Sequence, residues 1–259
     1  MADYNFYRLD ESFFYFFILV ALLFCGIHAG RRAFRQPKPS EPLAEPLSGG
    51  EEFLRRHNLM QRICHWANAA AIIILFISGW MIYQPADLFS SSPPPAYWFR
   101  WHQWGTAILL ITLTFHSIYE SFIVRASNPM AINQKEVRRM IQMVKNFLGF
   151  SPFYPRSGKY HPAQIFFHWV VAGNIFLLIL TGMVIWKPMR ELLPLALLGL
   201  GWKFIFYSRI LHIFFSASLL SFLIGHIYFA LFIKKNWPEA KSIITGKIRL
   251  RDYLEGHTL

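Results

Sequence analysis

Cysteine is nearly absent from this chain. Only Cys25 and Cys64 occur in 259 residues, and both fall in apolar runs. Disulfide frameworks, iron–sulfur clusters and cysteine zinc sites need thiols in close sets, which two isolated residues do not supply. The two read instead as small packing residues. Charge is also scarce: 15% of residues are charged, against 54% hydrophobic and 18% aromatic. That balance excludes a solvated multidomain protein and points to one membrane bundle. The opening MADYNFYRLDES has no basic n-region, and no small-residue cleavage site follows the first apolar run. That run is expected to be a retained anchor.

Acidic residues number 14 against 26 Lys and Arg, a net charge of +12. An excess of this size can signal nucleic acid, but its placement does not. Residues 30–62 hold seven Lys/Arg, residues 124–162 seven and residues 234–259 six, while the three alternating segments on the opposite side hold one, one and four. Such alternation is a topology signal with the basic side inward. The N-terminus is expected outside and the C-terminus in the cytoplasm, with anionic lipid headgroups beside the basic segments and no nucleic acid partner. Five stretches approach the ~20 apolar residues that span a bilayer: Phe13–Ala29, Ile63–Tyr83, Phe99–Val124, Ile165–Trp186 and Ser208–Phe232. Trp98, Trp101 and Trp104 cluster at one outer boundary, Trp186 and Trp202 at another. His28, beside Gly30-Arg31-Arg32, reads as an inner boundary residue.

The last span contains His212 and His226, and an earlier one contains His102 and His116. Each pair is separated by fourteen residues. On a helix that is about 21 Å along the axis and about 40° around it. Both imidazoles therefore leave one face, at two depths. Ionisable groups inside a span are costly and usually functional. Two facing helices of this kind would clamp two flat ligands one above the other, and haem b with bis-imidazole ligation is the natural candidate.

The core is internally repeated. QRICHWANAAAIIILFISGW aligns with QIFFHWVVAGNIFLLILTGM, pairing His65-Trp66 with His168-Trp169 and Gly79 with Gly182 at an offset of 103. The other two helices repeat at 110. Repeats of this sort place a shared site at their interface. Topology then sorts the histidines by depth. His102 and His212 are the only span histidines near the outer side. His116, His226, His65 and His168 lie toward the inner side, four candidates for two ligand places.

The pieces RICHW at Arg62–Trp66, GKYHPAQ at Gly158–Gln164, GMVIWKP at Gly182–Pro188 and the two histidines of the last span resemble the cytochrome b (gamma) subunit of membrane-bound formate dehydrogenases. Related cytochromes b serve nickel–iron hydrogenases and thiosulfate reductases. The resemblance covers about Leu54 to Arg251. It implies an all-α membrane protein: a four-helix transmembrane haem-binding bundle of duplicated helix pairs, plus one extra N-terminal transmembrane helix. The expected division is an anchor over residues 1–30, a Pro/Glu-rich cytoplasmic linker over 31–53, the di-haem domain over 54–251 and a tail over 252–259. The resemblance also implies two b haems between a periplasmic iron–sulfur subunit, with its catalytic partner, and a menaquinone or ubiquinone near the cytoplasmic face of a bacterial inner membrane.

Carried over by position, the outer haem falls on His102 and His212 and the inner one on His65 and His226. His116 has no counterpart in that pattern, and pseudo-symmetry would pair it with His226 instead. His168 is an iron ligand or a propionate partner. Gly105, Gly182, Ser216 and Gly225 either let a macrocycle approach the backbone or simply pack helices. Arg100 and Arg209 either pair with propionates or snorkel. GKYHPAQ resembles the family's GKYNAGQ, whose positions matching His161, Ala163 and Gln164 border the quinone. Here His161 replaces Asn, and Ala163 replaces Gly.

The implied role is an electron-transfer subunit with substrate oxidation left to a partner, since the chain has no dinucleotide or molybdenum motif. A stand-alone quinol oxidoreductase of the b561 type is the near alternative. A histidine-based transporter or proton pathway is a different class. It would need acidic relays in the spans, where only Glu120 comes close.

Overall fold

The computed structural model describes residues 2–34, 52–83, 95–124, 130, 132–148, 150–151, 159–192 and 201–254. Most of the expected linker, Gly158 and the last five residues of the tail lie outside the described residues. In chain order the elements are α1 (Ala2–Phe34), β1 (Phe53–Arg55), α2 (Leu59–Tyr83), α3 (Pro95–Ile118), α4 (Gln134–Leu148), α5 (Pro162–Ile185), α6 (Lys187–Leu192), α7 (Trp202–Ile227), α8 (Trp237–Thr245), β2 (Lys247–Arg249) and α9 (Leu250–Leu254). A π-helical segment extends α3 over Tyr119–Val124, and another extends α7 over Tyr228–Phe232.

Among the described residues, four helices are long and apolar enough to cross a membrane: Ser12–Arg32, Leu59–Tyr83, Pro162–Ile185 and Trp202–Phe232. The fifth expected span, Phe99–Val124, is also helical, as α3 and the π-helical segment that extends it.

The chain divides into two compact units. One holds Leu47–Pro129 and Trp237–Leu254. Its centre is α2 packed along α3. Gly105 permits the close approach, since a Cβ there would lie 3.0 Å from Leu75 Cγ and 3.2 Å from Ile74 Cγ2. The Thr112 hydroxyl bonds Asn68 Oδ1 across the pair. α2 starts with a reciprocal cap: Gln61 N donates to Asn58 Oδ1 at 2.8 Å, and Asn58 N to Gln61 Oε1 at 3.0 Å. Such a box satisfies two of the backbone donors every helix start leaves open. Gln61 Nε2 also donates to Glu120 Oε1 at 2.9 Å, so the one acidic side chain of the π-helical segment is held from α2.

This unit also contains the one departure from an all-α reading among the described residues. β1 pairs with β2 antiparallel, Leu54 opposite Ile248. Two extended segments flanking helices meet there, and their backbones satisfy each other instead of water. The turn into β2 is fixed by Gly246, whose φ is 81° and whose carbonyl accepts from Arg56 N at 2.9 Å and His57 N at 3.2 Å. Arg56 is buried, 3.5 Å from Glu239 Oε2, with its guanidinium over the Tyr253 ring. Burial pushes the Tyr253 phenol above its ordinary range, against the opposing pull of Arg56.

The other unit holds Met1–Pro46, Met130–Asn236 and Glu255–Leu259. Here α5 and α1 both pack along α7. The α1 contact is aromatic: Phe13 and Phe17 meet Phe214 edge-on at 5.4 and 5.2 Å between centroids. His28 is more than a boundary residue, because its Nδ1 lies 3.0 Å from the Tyr228 hydroxyl and its ring meets Phe229. Within the basic segment 124–162 lies an amphipathic helix, α4, with Val137, Ile141, Val144 and Leu148 exposed along one stripe. That stripe has the spacing of an interfacial helix lying against lipid.

Gly246→Ala tests the strand pair. A side chain at that φ costs about 1–2 kcal/mol, and the new Cβ would sit 2.9 Å from His57 O. The variant is expected to unfold earlier in a detergent thermal melt and to be cut sooner by protease near residues 52–58. A wild-type melting curve would show that the strand pair contributes nothing to stability.

Candidate functional site

In each unit a histidine is seated on a Ser or Thr hydroxyl of a neighbouring helix, and the two seats have the same design. On α3, His102 Nδ1 lies 3.0 Å from Ser78 Oγ of α2. On α7, His212 Nδ1 lies 2.9 Å from Thr181 Oγ1 of α5. The residue after each hydroxyl is a glycine. A Cβ on Gly79 would come within 3.4 Å of His102 Cε1, and one on Gly182 within 3.5 Å of His212 Cε1. Ser78 and Thr181 are both buried. One turn beyond each histidine a further hydroxyl caps its carbonyl: Thr106 Oγ1 donates to His102 O, and Ser216 Oγ to His212 O, each at 2.8 Å. Gly182 and Ser216, small residues in the sequence reading, thus belong to the His212 seat.

These seats fit axial ligation of haem iron. A ligating imidazole is commonly oriented through its second nitrogen, and here Nδ1 is the nitrogen engaged. Glycine beside each ring leaves the flat group room against the helix. His102 and His212 are the pair the sequence singles out at the outer depth.

The four histidines expected toward the inner side are spread over both units. His65 lies on α2 with its ring edge-on to Trp66, and His168 repeats that contact with Trp169 on α5. His116 sits in the last turn of α3, just before one π-helical segment. His226 sits just before the other, stacked on Phe167 with centroids 5.0 Å apart. π-Helical turns recur at functional sites, and here one follows the second histidine of each fourteen-residue pair. Gly105 is packed by Leu75 and Ile74, whereas a Cβ on Gly225 would meet nothing within 4 Å. Arg100 is exposed beside Trp101 and Trp104 at a shallow depression, and Arg209 is exposed on α7.

His161, Ala163 and Gln164 come together at the start of α5 as a capping box. His161 Nδ1 accepts from Ala163 N at 3.2 Å, and His161 N donates to Gln164 Oε1 at 2.9 Å. It stands 103 residues after the Asn58–Gln61 box, so the repeat extends to the helix caps. A neutral imidazole that accepts at Nδ1 carries its proton on Nε2.

Sequence reasoning missed Ser78 and Thr181. The signal was available: the alignment that pairs Gly79 with Gly182 also pairs these two hydroxyls, inside otherwise apolar runs.

The sequence profile of the prokaryotic cytochrome b561 family matches residues 56–246. The chain is 23% identical over 199 residues to the cytochrome b556(Fdn) subunit of the nitrate-inducible formate dehydrogenase of Escherichia coli strain K12, covering 76% of this chain and 84% of that protein. It is also 23% identical over 188 residues to the putative protein-methionine-sulfoxide reductase subunit YedZ1 of Azospira oryzae, covering 68% of this chain and 90% of that one. Helix α1 precedes the region that the family profile matches. With its membrane-spanning helices and its paired, seated histidines, the chain belongs to the prokaryotic cytochrome b561 family, as a haem b-binding membrane electron-transfer protein related to formate dehydrogenase cytochrome b.

Proposed function

We propose that this protein is the membrane subunit of a respiratory redox complex in a bacterial inner membrane, joining an iron–sulfur partner on the outer side to a menaquinone or ubiquinone near the cytoplasmic face. Two b haems, when bound, supply the one-electron redox chemistry. The single observation that carries this reading is the pair of identical histidine seats, one in each repeat. The domain that does this work runs from residue 54 to 251, with α1 as an added anchor whose N-terminus faces outward.

The chain's own residues hold and orient. His102 and His212 are the outer axial ligands. His226 is an inner ligand, and His65 is its partner, favoured over His116 by the near-identity of RICHW with the formate dehydrogenase pattern. His168 and the boundary residues Arg100 and Arg209 serve propionates. Gly225, open above its backbone, leaves space for the macrocycle. At the quinone, the capped start of α5 presents His161 with its proton on Nε2, a donor suited to a quinone carbonyl. Ala163 and Gln164 keep that imidazole in place through the cap.

The partner is proposed to be of the formate dehydrogenase type. The YedZ1 relative supports a second reading, a subunit serving a reductase of protein methionine sulfoxide, because the match covers nine-tenths of it. Purification with intact partners, then assay of formate, hydrogen, thiosulfate and methionine sulfoxide, separates these readings.

Pyridine haemochrome analysis is expected to give about two haems b per chain. His102→Ala and His212→Ala should each remove one haem and leave the other. Full occupancy in either variant would remove these residues from the ligand set.

His65→Ala is expected to abolish the low-spin signal of the inner haem in low-temperature electron paramagnetic resonance, whereas His116→Ala leaves it bis-ligated. The reverse pattern would assign His116 to the iron.

His161→Asp keeps a favourable helix cap but lacks the Nε2–H donor. Quinone-dependent reoxidation of the reduced cytochrome is expected to slow by on the order of 10²-fold, with both haem spectra unchanged. An unaltered rate would leave His161 with the cap alone.

A further inference from the structure

We infer that Ser78 and Thr181 are positioning residues for the outer haem, each fixing the tautomer and ring plane of one axial histidine by accepting its Nδ1 proton. The inference rests on the reading of His102 and His212 as ligands. It concerns the two hydroxyl residues themselves, which lie toward the C-terminal ends of α2 and α5.

The direction of the two hydrogen bonds follows from counting protons. A serine hydroxyl has one hydrogen and two lone pairs. Ser78 Oγ lies 2.6 Å from Ile74 O and 3.3 Å from Leu75 O. Carbonyl oxygens only accept, so the hydroxyl hydrogen is committed to the preceding turn of its own helix. The contact to His102 Nδ1 at 3.0 Å must then be donated by the imidazole. Thr181 repeats the pattern. Its Oγ1 lies 2.7 Å from Leu177 O and 3.2 Å from Leu178 O, and 2.9 Å from His212 Nδ1. Both rings are therefore Nδ1–H tautomers, with the basic lone pair on Nε2, the atom that ligates.

Coincidence does not account for the arrangement. The two hydroxyls stand 103 residues apart, the same offset as His65 and His168. Ser78 is 1% exposed and Thr181 is 8% exposed, so water does not compete for either acceptor. Gly79 and Gly182 bring each ring against the helix that carries its acceptor. A hydroxyl that accepts from a ligating imidazole raises the basicity of that ligand. More basic ligands favour the oxidised iron. The two seats thus hold the outer haem at a lower potential than two unsupported imidazoles would, and each fixes the plane of its own ring.

The test uses the full chain, in its complex, with Ser78→Ala and Thr181→Val as variants that remove the acceptor. Ser78→Thr and Thr181→Ser are the rescues. Redox titration of the α-band and low-temperature electron paramagnetic resonance are read together. Each acceptor-deleting variant is expected to shift the outer haem about tenfold toward reduction, a rise of about 59 mV for one electron. The largest g-value of that haem should move, and the inner haem should not. Each rescue should restore both values. Loss of the outer haem in Thr181→Val with recovery in Thr181→Ser would equally support the role. Wild-type potential and g-values in both acceptor-deleting variants would overturn it, as would a change that the rescues fail to reverse. If His102→Ala and His212→Ala keep both haems, the ligand reading itself fails. If they lose the outer haem while the hydroxyl variants stay wild-type, only this inference does.

Discussion

An imidazole inside hydrocarbon cannot hand its N–H to water, so the protein must provide the acceptor. In both helix pairs the acceptor is a hydroxyl whose own proton is already spent on its helix. Much of the local design follows from that requirement. The acceptor helix must run close to the histidine helix, which the small residues Gly79, Gly105 and Gly182 permit. The hydroxyl must sit within an apolar run, where Ser and Thr are tolerated because they bond the carbonyl one turn back. The histidine's own carbonyl is covered from one turn ahead, by Thr106 or Ser216. Ring, acceptor and backbone form one satisfied set in each repeat.

Membership of the cytochrome b561 family supplies the chemistry, and the chain supplies the constraints on it. Its polar features within the helices are few and mostly doubled. Each repeat opens with a capping box, carries a hydroxyl–glycine step opposite a histidine, and ends its second helix in π-helical turns. The copies differ where the proposed roles differ. Asn58 caps the first repeat and His161 the second, and only an imidazole offers a titratable donor at the position read as the quinone site.

The four-helix repeat, the anchor and the histidine positions were legible in the sequence because they are periodic: apolar runs of spanning length, a fourteen-residue step twice, and offsets of 103 and 110. Ser78 and Thr181 were not, since a lone hydroxyl in an apolar run gives no periodic signal and its role depends on the facing helix. The β1–β2 pair was invisible for a related reason. FLR and KIR are three-residue segments nearly two hundred positions apart, and neither reads as a strand alone. His28 was undervalued because its partner, Tyr228, is two hundred residues away.

Those long separations bear on biogenesis. In one unit, α1 rests on α7 through Phe13, Phe17 and His28; in the other, β1 waits for β2. Each unit joins one of the first parts of the chain to one of the last. Neither can close while the ribosome is still making the middle of the protein, and long-range closure is the slow part of assembly. The two histidine seats therefore form at different stages of synthesis. His102 can find Ser78 early, but His212 meets Thr181 only after α7 emerges.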